Sequence, residues 1–260
     1  MINNDFYRAF GTRFLVSTLL VAITMVADSG QDFLQMSKGE FIPHDGTTVL
    51  YYYLYPVSFG GVFSRHFIAL LAGLPFAIGY IDEYKMFPYI VYKSGASKYC
   101  FSKMVTCAIS GGIAVASGRL LFISILMIKF PLVSEFILLE YEWMPYSILL
   151  THNGGVFFVL LHLLLSFLTG FFWGAIAMCV SVFFPNKLVV TTSPFIFSFT
   201  LTQLYRLTRM PDELRLDRLL TGRGWNGSVS ATLINTIIMV FTLFGLCSFL
   251  FSKYLRKKRL

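Results

Sequence analysis

The sequence predicts an all-α integral membrane protein: six transmembrane helices in a single domain, 1–260, with both termini cytoplasmic. Three observations carry that prediction. Hydrophobic residues make up 56% of the chain and charged residues only 13%, about half the charge of a soluble domain, and mean hydropathy is +0.70. Six apolar runs have the length of a span, about 20 residues, near 10–28, 62–81, 104–128, 154–184, 188–205 and 231–252. On a six-span count, the side of the termini holds twelve basic and three acidic residues, and the opposite side eight and ten. That is the positive-inside bias. A seventh span would carry the tail "KYLRKKRL" to the wrong side. The net charge of +8 therefore reads as topology, not as a nucleic-acid surface.

Taken in order, "MINNDFYRAFGTRF" sets Ile2, Phe6 and Phe10 at four-residue steps. This predicts an N-terminal interfacial helix held at the membrane surface by Arg8 and Arg13. The first apolar run ends at acidic Asp28 and Asp32 rather than at a small-residue cleavage site, so it is expected to be an anchor. Residues 28–48 read as an acidic external loop with turn chemistry in "PHDGTT". The aromatic "YYYLYPVSF" is expected to lie at the interface before the second span, which Gly73, Pro75 and Gly79 interrupt. Glu135, Glu140, Glu142 and Trp143 mark 129–153 as a second external segment lying at the interface. Between spans five and six, Pro211 opens a short external helix. Asp212 and Glu213 suit its first turn, Arg215 and Arg218 its last, and Gly222 ends it. Its Leu214, Leu216, Leu219 and Leu220 are expected to face the membrane or another subunit. The basic tail, Lys253 to Arg259, anchors the last span on anionic inner-leaflet lipid.

Catalytic and metal-binding constellations are absent from the residue pattern. The four cysteines form no CxxC pair, no two histidines stand at i, i+4, and no GxxxxGK[ST] loop occurs. "FVLLH", ending at His162, matches the Phe-x-x-x-His half of the motif in CAAX-type intramembrane proteases. The essential Glu-Glu-x-x-x-Arg half has no counterpart, because the chain has no adjacent glutamates. His162 is therefore expected to be a packing or cavity residue. Polar side chains within spans are costly and stand out. Arg119, about 24 Å into the third span at 1.5 Å per residue, is expected to snorkel outward or to pair with an outer carboxylate. Gln203 and Asn235 are expected to form interhelical hydrogen bonds. No metal site and no catalytic activity of the chain itself are expected.

The stretch between spans two and three is different. "DEYKMFPYIVYKSGASKYCFSKM" sets an aromatic block, Phe87 to Tyr92, beside the basic turn Lys93-Ser94-Gly95. Ser97 is positioned to cap the helix running on through Lys103. Exposed apolar side chains at a cytoplasmic surface call for lipid or a docked protein. The order of acidic Glu83, apolar Phe87 to Tyr92, Lys93-Ser94, Tyr99 and Lys103 resembles the membrane subunits of ABC-2 type ABC transporters. The six-span layout with an interfacial N-terminal helix resembles them too.

That resemblance implies a coupling helix between spans two and three, with Glu83, Tyr84, Phe87, Tyr89, Ile90, Tyr92, Lys93 and Ser94 fitting an ATPase subunit. It implies two ABC ATPase subunits carrying ATP and Mg, and a second permease subunit, identical or homologous. It places the assembly in the plasma membrane of a bacterium. Gly73, Pro75, Gly79, Pro185 and Pro194 are expected bending points. Spans rich in phenylalanine, leucine and isoleucine favour an amphipathic or lipophilic cargo, such as a peptide, a lipid or a drug, and the resemblance implies its export, with an antimicrobial peptide the typical cargo of small members of that family. The competing readings are an intramembrane hydrolase and a non-transporting scaffold or sensor.

Overall fold

The structure, a computed structural model, describes residues 2–29, 48–54, 56–57, 61, 63–83, 89, 92, 95–134, 145–151, 153–224 and 228–257. Among them all regular structure is helical: α1 (Ile2–Ala9), α2 (Thr12–Asp28), α3 (Val49–Leu54), α4 (Phe63–Gly73), α5 (Gly79–Asp82), α6 (Ala96–Met127), α7 (Val156–Phe183), α8 (Lys187–Leu207), α9 (Leu216–Leu220) and α10 (Val229–Lys257). Four of these, α6, α7, α8 and α10, are long and apolar enough to cross a membrane. The first expected span is the 17-residue α2, and the second is broken into α4, a turn at 74–78 and α5. Pro75 falls in that break, where its missing N–H interrupts helical bonding.

The antiparallel pair α6 and α7 forms the centre. Cys107 faces Gly174, Gly111 faces Gly170 and Arg119 faces Ser166, in opposite chain order. Around the pair stand α2 and α4 on one flank, α8 beyond α4, and α10 across α7. Outer helices touch this centre along narrow stripes. On α2 the buried residues include Ser17, Val21 and Met25, and on α10 Thr232, Thr236, Val240, Phe251 and Leu255. Leu15, Leu19, Ile23, Ile234, Ile238, Phe241 and Phe249 stay exposed. So much bare apolar surface suits a chain solvated by lipid. Pro194 sits inside α8, where it cannot donate to the Val190 carbonyl; the Ser193 hydroxyl donates to that oxygen instead, at 3.1 Å.

Several local expectations need correction. The aromatic stretch was expected to lie at the interface; its described helix α3 packs into the bundle, with Val49, Leu50, Tyr52, Tyr53 and Leu54 all buried. Its first N–H groups donate to Pro131 and Leu132 carbonyls and to the Thr48 hydroxyl, which makes burial affordable for its backbone. Helix α6 starts at Ala96 after Gly95, whose φ of 79° is the left-handed conformation that glycine adopts without strain. Ser97 therefore lies within the first turn instead of capping it. The helix expected after Pro211 is a 3-10 turn, Asp212–Leu214, followed by the five-residue α9. Leu216, Leu219 and Leu220 pack into the bundle, and only Leu214 is exposed. In α1, Asp5 and Ala9 are buried against α6, while Phe10 of the apolar stripe is exposed.

Candidate functional site

Charged groups of the described residues gather at two opposite ends of the bundle. At one end α1, the close of α5 and the start of α6 meet around Lys103, which is only 1% exposed. Its ammonium donates to Asp5 Oδ1 at 2.6 Å and to Glu83 Oε1 at 2.8 Å. The same carboxylates are held from other sides. Ser102 donates to Asp5 Oδ2 at 2.8 Å, Tyr99 donates to Glu83 Oε2 at 3.2 Å, and Arg8 pairs with Glu83. The Phe76 and Tyr99 rings lie 5.2 and 5.4 Å from the ammonium, presenting their electron-rich faces. A buried cation survives only when paired and fully hydrogen-bonded. Two carboxylates and two rings meet that demand here.

Beside it, Asp82 accepts from Lys187 at 2.9 Å and pairs with Arg13 at 3.5 Å, tying α5 to α8 and α2. Partial burial pushes the Asp82 carboxyl up, but Lys187 and Arg13 outweigh it and hold the group below its ordinary value. A depressed carboxyl stabilises the fold above the ordinary carboxylate range and loses that contribution as pH falls through its lowered pKa. Acid should therefore loosen the α5–α8 junction in the native chain and not in Asp82→Asn. Hydrogen exchange at 79–83 as a function of pH reads the difference.

Of the expected coupling residues, Glu83 is in this cluster, at the end of the bundle that carries Arg8, Arg13, Lys103 and Lys187. Tyr89 and Tyr92 are 72% and 84% exposed. Tyr84, Phe87, Ile90, Lys93 and Ser94 lie outside the described residues, as do Glu135, Glu140, Glu142 and Trp143. Sequence reasoning missed Asp5 as the partner of Lys103 and Ser102. The bonds link residues almost a hundred positions apart, and no local pattern reports such a pair.

The opposite end collects Asp28, Arg65, Asp212, Arg215, Asp217, Arg218 and Arg223. Asp28 accepts from the backbone N–H groups of Phe63 and Ser64 at 3.1 and 2.6 Å, capping α4. Asp217 is taken by Arg215 at 3.0 Å, which raises the already high Arg215 pKa, and Asp212 by Arg218. Burial, then neighbouring Arg218 and Arg65, push Arg223 down, the mark of a locally positive field. Arg119 corrects the sequence expectation. It neither snorkels nor pairs with a carboxylate among the described residues: it is 3% exposed and donates to Ser166 Oγ at 2.7 Å. Ser166 in turn donates to the His162 carbonyl at 2.6 Å and meets the Tyr53 hydroxyl at 3.4 Å. His162 is buried between the Phe158 and Tyr53 rings, 4.4 and 5.8 Å away. Asn235 bonds not to a helix but to the Glu213 carbonyl of the 3-10 turn, at 3.0 Å, and Gln203 is half-buried on α8.

Chemically, the Lys103 cluster is a fastening rather than a proton relay, since each carboxylate oxygen in it is engaged by a donor. It holds the chain on both flanks of 84–94, at Glu83 before and at Tyr99, Ser102 and Lys103 after. Among the described residues no group of three or more His, Cys, Asp or Glu side chains is placed to hold a metal ion. No known protein family, no curated protein and no solved structure matches this chain.

Proposed function

We propose that the chain is the permease subunit of an ABC-2 type transporter of a bacterial plasma membrane, exporting an amphipathic or lipophilic cargo. In this reading it pairs with a second permease subunit, and two separate ATPase subunits bind ATP and Mg. Six spans leave both termini cytoplasmic, with α2 and the broken α4–α5 rod completing the set begun by α6, α7, α8 and α10. The cytoplasmic end is then the one that carries Lys103, Arg8, Arg13 and Lys187.

The observation that supports this reading best is the fastening of both flanks of 84–94, with Tyr89 and Tyr92 exposed between them. A segment held at both flanks and carrying two exposed tyrosines suits the transfer of force from a docked partner. Aromatic side chains are also favoured anchors of protein interfaces.

Site-directed photo-crosslinking tests it. A photoreactive residue at position 89 or 92, in the tagged chain expressed in its own host, should crosslink to a subunit that hydrolyses ATP. The same residue at Leu246, exposed on α10, should not. Combined Phe87→Asp, Tyr89→Asp and Ile90→Asp substitutions should abolish co-purifying ATP hydrolysis without changing the elution volume of the chain itself. Crosslinking of 89 and 92 to lipid alone, with no ATP-hydrolysing partner, overturns the proposal.

A further inference from the structure

We infer that the polar cavity beside Arg119 is a binding site for a single carboxylate-sized anion, either a free small ion or the acidic end of an apolar molecule. The cavity measures about 40 Å³ and lies between α4, α6, α7, α8 and α9. That is space for roughly three water-sized probes, enough for a carboxylate or a halide with a water.

Arg119 lines it, 97% removed from solvent, with one guanidinium nitrogen donating to Ser166 and its Nε without a partner. Arginine stays protonated, so the charge cannot be relieved by losing a proton. Buried charges require a counter-charge. The carboxylates nearby are already committed. Asp217 borders the cavity but is bound by Arg215, Asp212 is bound by Arg218, and Asp28 caps α4. Arg65 contributes a second cation to the same wall. Arg119 and Arg65 thus line a small void whose one lining carboxylate among the described residues, that of Asp217, is already bound by Arg215. Phe172, Trp173, Leu216 and Leu220 close the remainder, an environment of low dielectric that strengthens the attraction for an anion. An apolar wall of this kind also accepts the alkyl part of a larger acid. The inference stands whether or not an ATPase docks at the other end of the bundle.

Trp173 supplies the readout. The purified full chain carrying Trp143→Phe and Trp225→Phe keeps Trp173 as its one tryptophan, and bromide quenches indole emission on contact. At constant ionic strength set with methanesulfonate, bromide should quench Trp173 along a saturating curve, and formate should compete. Arg119→Gln should weaken half-saturation by at least about tenfold, the scale of one lost charge-assisted hydrogen bond. Should Arg119→Gln fail to fold, Arg65→Gln must show a several-fold weakening on the same curve. Octanoylglycine separates the two sources. Competition far stronger than that of formate identifies the acidic end of an apolar molecule, and equal competition a free small ion. Quenching that rises linearly without saturation, or that is the same in the arginine variants, overturns the inference.

Discussion

Lys103→Met should lower the stability of the bundle by about 3–5 kcal/mol, the cost of leaving a buried charge without its partner. The substitution keeps most of the side-chain length and removes the ammonium. Glu83 retains Arg8 and Tyr99, but Asp5, 3% exposed, is left with only the Ser102 hydroxyl. Asp5→Asn should cost less, because Lys103 keeps Glu83. The double variant should recover part of the loss, since removing both members of a buried pair is far less damaging than orphaning one. Reversible unfolding in mixed detergent gives all three values and their coupling. If each single change falls within about 0.5 kcal/mol of the native chain, the range of an ordinary surface substitution, the cluster does not hold α1 in place.

The same variants have a structural signature. Helix α1 docks on α6 through Asp5 and Ala9, so losing the ion pair frees α1 and opens Arg8 to trypsin. If 84–94 receives force from an ATPase, Lys103 is also where that force enters α6. A Lys103→Met protein should then keep its bound ATPase while losing stimulation of hydrolysis by cargo.

Architecture was legible wherever the signal is local. An apolar run needs only its own length to be read as a span, and α6, α7, α8 and α10 fall within a few residues of expectation, apart from the early start of α6 at Ala96 and the run of α10 to Lys257. Pro75 marked the break in the second span for the same reason. What failed was the assignment of faces and partners. Tyr52 and Tyr53 carry the composition of an interfacial belt, but their neighbours Thr48, Pro131 and Leu132 supply the hydrogen bonds that let α3 go inside. Arg119 has the spacing of a snorkelling residue, but Ser166 of the facing helix holds it inward. Asp5 lies off the apolar stripe of Ile2, Phe6 and Phe10, which is the periodic signal in α1. In each case the deciding groups lie outside the helix they position, and the periodicity of that helix carries no information about them.

Gly170→Ala should cost about 2–3 kcal/mol, near the upper range for overpacking, although alanine is the better helix former. A Cβ on Gly170 would sit 2.3 Å from the Gly111 carbonyl oxygen, and one on Gly174 2.7 Å from that of Cys107. Those neighbours are backbone, so no side chain can rotate aside; α6 and α7 must separate. In lipid the helices gain little from burying apolar surface, and close van der Waals approach of small residues is what holds them. Separation also stretches the Cys107 thiol's bond to the Gly174 carbonyl, 3.2 Å, and the Arg119–Ser166 bond. The matched control is Gly245→Ala on α10, where a Cβ would meet nothing within 4 Å. It should be neutral or stabilising by up to about 1 kcal/mol through helix propensity alone. Both changes add one methyl to a helical glycine and differ only in what that methyl meets, so the gap between their unfolding free energies isolates backbone contact between the central helices. A Gly170→Ala chain as stable as Gly245→Ala would mean that α6 and α7 do not touch where Gly111 and Gly170 cross.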